Sequence, residues 1–116
     1  MKIISFAWTT KALLEGKKTV TRRKWSDKYA LMFKKGDLVK AYDKSPRSGG
    51  KHRATIRLTH DPYKECLIDM PEEDIANEGG LWDSKDEFIS LFPDSNTIVW
   101  VIRFEVIEPR QTPDLF

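Results

Sequence analysis

The sequence predicts an α+β fold: a small antiparallel β-barrel, or strongly curled sheet, with two or three short flanking helices. Three observations predict it. Thr97 to Val106, TIVWVIRFEV, is an almost unbroken apolar strand. Arg53 to Thr59 alternates strictly, with Ala54, Ile56 and Leu58 on one face and Arg53, Thr55, Arg57 and Thr59 on the other, as a half-buried strand does. The connections are short and turn-like, and no βαβ rhythm appears.

The other elements follow in order. Lys2 to Phe6 is a short apolar strand. Thr9 or Thr10 caps a helix through Glu15 that turns Ala12, Leu13 and Leu14 inward and stops at Gly16. Thr19 to Arg23, rich in β-branched residues, reads as a second strand. Lys24 to Phe33 holds a turn or a short helical piece, and the tight turn KKGD leads into a strand over Leu38 to Tyr42. DKSPRSGGKH, Asp43 to His52, has the proline and glycine content of an exposed hairpin loop. Cys66 to Met70 is a candidate continuation of the sheet. Pro71 opens an acidic helix with Glu72, Glu73 and Asp74 near its positive end, and Gly79-Gly80 closes it. Ser84 and Glu87 have capping-box spacing ahead of a further helix that ends before Pro93. In the last strand Ile98, Trp100, Ile102, Phe104 and Val106 share a face, while Val99 and Val101 bury the other side of its centre.

At 116 residues the chain is one domain, expected over residues 1–108 with a loose C-terminal tail at 109–116. It has no apolar run of membrane-spanning length and no recognisable secretory leader, so the cytoplasm is the expected location. The single cysteine, Cys66, excludes an internal disulfide, and His52, His60 and Cys66 fit no closed metal-ligand spacing, so neither metal nor cofactor is expected. The net charge of +2 conceals an asymmetry: residues 1–57 carry 16 Lys/Arg against 4 Asp/Glu, and residues 58–116 carry 4 against 14. Two readings follow, pairing of the halves across the fold or a basic face for a polyanion.

The densest basic stretch is LLEGKKTVTRR, Leu13 to Arg23. Its pattern Gly16-x-Lys18-x-x-Thr21-x-Arg23, between a helix and a strand, resembles the signature of ASCH domains of the PUA-like superfamily, small barrels flanked by helices. Within that family the chain is most similar to the bacterial amidohydrolases that remove the acetyl group from N4-acetylcytidine. The resemblance implies a catalytic lysine at Lys18, a threonine at Thr21 and a glutamate at the end of the acidic helix, Glu78, with Glu72 and Glu73 as alternatives. It also implies a modified nucleoside or RNA as partner.

Amide hydrolysis asks for a nucleophile, a base and stabilisation of an oxyanion. Thr21 is a nucleophile only if a base takes its proton, and Lys18 is such a base only if burial and neighbouring cations depress its pKa. Glu78 opposes that shift unless it chiefly holds geometry or ferries the proton. On the strand, Val20 should enter the core while Thr21 and Arg23 face a cleft, with Lys17 and Arg22 readable as no more than solvated charge. Lys18 must leave strand geometry, and Gly16 frees the backbone to let it. The ligand-binding set is therefore Gly16, Arg22 and Arg23, with Trp8 and Trp25 as stacking platforms for a base. Each has a plainer alternative: Trp8 as core, Trp82 and Trp100 as packing, Arg23 as an ion-pair partner. The rival to catalysis is an RNA-binding module on the same basic face, with SPRSGGKHR as a phosphate-contacting hairpin.

Overall fold

In the computed structural model, which describes residues 2–109, six strands curl into one sheet. They are β1 (Lys2–Ser5), β2 (Val20–Arg23), β3 (Leu38–Tyr42), β4 (His52–Leu58), β5 (Tyr63–Cys66) and β6 (Ile98–Pro109). The hydrogen-bonded path runs β1-β3-β4-β6-β2, with β5 also paired to β6. Four short helices flank it: α1 (Thr10–Leu14), α2 (Asp27–Ala30), α3 (Asp74–Asn77) and α4 (Lys85–Ile89). The α+β expectation holds, as an open half-barrel with one more short helix than expected.

β6 organises the molecule. Its first half pairs antiparallel with both β2 and β5, and its second half with β4. Because side chains alternate along a strand, its two faces feed two cores. Trp100, Ile102 and Phe104 join Ile4, Phe6, Leu13, Val39, Ile56 and Leu58, whereas Val99 and Val101 join Val20, Leu67, Met70 and Phe88. Ile98, expected on the first face, is exposed because it opens the strand at the sheet's edge.

Several local expectations change. β1 pairs parallel to β3, so the sheet is not wholly antiparallel; the connection, holding α1, β2 and α2, is long enough for a crossover. Thr9 and Thr10 do not cap α1 by accepting: their hydroxyls donate to the Phe6 and Ala7 carbonyls, because the helix continues a 3-10 turn over Ala7–Thr9 instead of starting from extended chain. After Cys66 the chain leaves the sheet for a 3-10 turn over Leu67–Asp69. The Lys24–Phe33 segment holds α2, capped by the Ser26 hydroxyl on the Tyr29 N–H, and Ser84 caps α4 through the Glu87 N–H as its spacing predicts. Glu108 and Pro109 pair with Thr55 and Ala54 in the sheet, and the rest of the expected tail lies outside the described residues. No helix among the described residues is long and apolar enough to cross a membrane.

Candidate active site

β2 lies at one end of the sheet path and β1 at the other, and the candidate site sits between them. Val20 enters the second core, as the alternation requires. Thr21 and Arg23 share the opposite face and touch: Arg23 Nε donates to Thr21 Oγ1 at 3.0 Å. The same guanidinium reaches across to β1, with Nη2 donating to the Ser5 carbonyl at 2.8 Å, and lies 5.3 Å from the Phe6 ring centroid. Arg23 thus ties β1 to β2 where backbone hydrogen bonds do not.

Lys18 precedes the strand and leaves its geometry. Gly16, in the left-handed region at φ 77°, turns the chain after α1, and the Lys17 and Lys18 N–H groups close back on the Ala12 carbonyl. Lys18 then pairs by an isolated bridge with Glu78, and the Thr19 N–H donates to the Asn77 carbonyl. This bridge sets Glu78 beside Lys18, whereas Glu72 and Glu73 are exposed. Gly79 suits it: its φ of 127° is one that L side chains rarely adopt, and a Cβ there would lie in tight contact, 3.1 Å, with the Ala12 Cβ.

The side chains complete the contact. Lys18 Nζ donates to Glu78 Oε1 at 2.7 Å and to the Glu78 carbonyl at 3.1 Å, with both residues at most 3% exposed. Burial, which penalises the ammonium, outweighs the Glu78 charge and hydrogen bond, so the Lys18 pKa falls below its ordinary value; Arg23 and Arg22 push the same way.

Arg22 also lines the cleft, but it is not the solvated charge that was one expectation for it, because its side chain is sealed from solvent. It lies on the Val20 face of β2, beneath which three carboxylates converge. Its Nε donates to Glu65 Oε1 at 2.8 Å, its Nη1 to Glu78 Oε2 at 2.9 Å and its Nη2 to Asp74 Oδ2, with the side chain fully sealed from solvent. Burial pulls its pKa down, but these hydrogen bonds and the Glu78 charge outweigh that and hold it above the ordinary value. Asp74 also accepts two hydrogen bonds from Arg103, at 3.1 and 2.7 Å, and one from Asn77. Burial favours its neutral form, yet these partners keep it well below the usual carboxylate range. Glu65, Asp74 and Arg103 were not anticipated. The one available signal was that an arginine two residues from a buried valine, on one strand face, needs acidic partners; their identities depend on long-range register.

Above this floor opens a cleft of about 270 Å³. Lys18, Thr21, Arg23 and Glu78 line its base, together with Ser5 and Phe6. Ala7, with the unusual φ of 48°, bends the chain at its edge and turns Trp8 outward. Trp8 is 64% exposed, not core, and meets Trp82 edge to face at 5.5 Å, both rings lining the cleft. Trp82, read as packing, does pack against Phe88 at 4.7 Å and also forms this wall. Trp25 lies elsewhere: it stacks on Phe33 and meets Tyr29 edge to face, so it is not a platform at this cleft. Gly16 also stands outside the lining and contributes only its turn. Among the described residues no group of His, Cys, Asp and Glu is arranged to hold a metal, and the nearest carboxylate cluster encloses a guanidinium.

No family model and no curated protein matches the chain. Among solved structures it is similar to the crystal structure of protein EF3133 from Enterococcus faecalis V583, assigned to the family model DUF984. The TM-score is 0.68 at 14% identity, over 99% of this chain and 85% of that one. At that identity the likeness shows the fold alone.

Proposed function

We propose that the cleft hydrolyses an N-acylated cytidine-type nucleoside, with Thr21 as nucleophile, Lys18 as base and Glu78 in support. The observation that carries this reading is a buried lysine on a glutamate, sharing one cleft with a buried threonine hydroxyl that accepts from an arginine. The signature Gly16-x-Lys18-x-x-Thr21-x-Arg23 resembles that of ASCH amidohydrolases and supports the same assignment.

The chemistry balances with these groups. Lys18, as the free amine, takes the Thr21 proton while Oγ1 attacks the acyl carbon. The Arg23 guanidinium, already on Oγ1, is the nearby positive charge for the developing oxyanion. Collapse breaks the C–N bond, and the exocyclic amine leaves with the proton now on Lys18. Water then releases the acyl group from Thr21 by the same base. Glu78 holds the Lys18 amine through the transfer. Trp8 and Trp82 offer the aromatic surface a planar base stacks on.

The test is release of cytidine from N4-acetylcytidine, followed by chromatography. Lys18→Ala and Thr21→Ala should each lower kcat/KM at least about a hundredfold, the usual contribution of a positioned base. Release that survives both substitutions would sink the mechanism. No release by the unmodified protein would favour a binding module on the same cleft.

A further inference from the structure

Lys18 is not alone with Glu78. The carboxylate has two oxygens: Oε1 accepts from Lys18 and Oε2 from Arg22. Arg22 is itself held from β5 by Glu65, through 2.8 and 3.3 Å hydrogen bonds, and from α3 by Asp74, which Arg103 of β6 engages from the outer side. The charged groups around the cleft floor are therefore Glu65, Asp74 and Glu78 against Arg22, Arg23 and Arg103. These six already balance. A protonated Lys18 is a surplus cation at 3% exposure, where an unneeded charge is costly.

We infer that Arg22 is a positioning residue for the lysine: it fixes Glu78 in the orientation Lys18 requires and absorbs that carboxylate's charge, so that Lys18 works as an uncharged amine. The inference rests on the reading of Lys18 as the base and adds a device that works beside burial, the largest cause of its lowered pKa. A carboxylate facing Lys18 alone would hold the ammonium; a carboxylate shared with a permanently charged guanidinium attracts it far less. Geometry and electrostatics agree, since both Arg22 and Arg23 act against the charged lysine. Arg22 is also locked: a bidentate grip by Glu65 and a shared Asp74 leave it no other position.

The experiment reads the lysine directly. The Lys18 ε-carbon is titrated by NMR in the full chain, its signal assigned by its loss in Lys18→Met. In the unmodified protein the midpoint should lie below those of the exposed lysines. Arg22→Gln should raise it by a factor of ten or more in proton affinity, because Glu78 then faces Lys18 undivided. Glu65→Gln, a milder change at the far side of the guanidinium, should lower it, because Arg22 loses a counter-charge. An unchanged midpoint in a folded Arg22→Gln protein overturns the inference. If that variant does not fold, Glu65→Gln decides: a midpoint that stays or rises overturns it. The acid limb of the kcat/KM profile should move with the midpoint in each variant. If the midpoints move as stated while N4-acetylcytidine is untouched, the proposed reaction fails and the positioning role stands. If hydrolysis proceeds and the midpoints do not move, the positioning role alone fails.

Discussion

At the cleft floor, Lys18 and Arg22 are nearly sealed from solvent, and their side-chain hydrogen bonds all go to acidic residues of the second half of the chain. In the β3–β4 hairpin, Lys44, Arg47 and Lys51 come from the same basic half but stand exposed. The local carboxylate there, Asp43, is occupied by the Lys51 N–H at 2.8 Å and by Arg53 at 3.4 Å. The two regions show that the charge asymmetry serves two ends. Part of it is internal pairing, extended at the surface by Arg57–Glu105. The remainder is a solvated edge. Cations in the first group are fixed by partners and in the second by water, so equal substitutions should have unequal effects.

The largest difference should come from removing the buried cation. Arg22→Met leaves Glu65 and Asp74 beside an uncharged side chain, and breaking a buried pair from one side costs about 3–5 kcal/mol. Arg47→Met in the hairpin should stay within about 0.5 kcal/mol of the unmodified protein. Urea denaturation of both variants measures the contrast. Equal losses would mean that the buried network adds nothing.

Acid should separate the regions next. The Asp74 pKa is depressed in the fold, so its stabilisation is fully present above the ordinary carboxylate value of 3.8 and is lost as pH falls through the folded value below it. A salt-bridged aspartate of this kind contributes about 2–3 kcal/mol at neutral pH. Thermal unfolding should therefore fall steeply below about pH 4, and Asp74→Asn should flatten that limb while lowering stability at pH 7. A limb of undiminished steepness in the variant would assign it to other carboxylates.

Much of this was legible beforehand, and the rest has a physical reason for being hidden. Arg53–Thr59 and Thr97–Val106 announced themselves because a half-buried strand must alternate and a central strand must be apolar on both faces. Lys18, Thr21 and Glu78 were named from a local motif and a helix end, and the structure brings them to one cleft. Arg22 was misread because nothing within four residues of it explains a buried guanidinium. Its partners lie 43, 52 and 56 residues away, and only the pairing of β2 and β5 with β6, and of Lys18 with Glu78, sets them in reach. Trp8 was ambiguous for a related reason. A single positive φ at Ala7 decides whether that ring faces core or cleft, and alanine gives no warning of it.

The smallest effect on stability, and the sharpest test of what the floor is for, is Lys18→Met. Lys18 is as buried as Arg22, but the six remaining charges balance without it and Glu78 keeps its hydrogen bond from Arg22. The folded pKa of Lys18 is depressed, so between that value and 10.5 the unfolded chain holds the extra proton and stability rises with pH. Below that window the fold bears the full cost of a buried ammonium. Replacing it by an apolar side chain of similar length should leave Tm at pH 7 unchanged or higher, as replacing buried ions by hydrophobic residues often does. The rise of stability with pH on the approach to 10.5 should flatten, since the group that keeps its proton there only in the unfolded chain is gone. Differential scanning calorimetry of the two proteins across that range reads both effects. A marked fall in Tm would make Lys18 a structural cation like Arg22. An unchanged or raised Tm with hydrolysis abolished would mean that the fold tolerates this lysine for its chemistry alone.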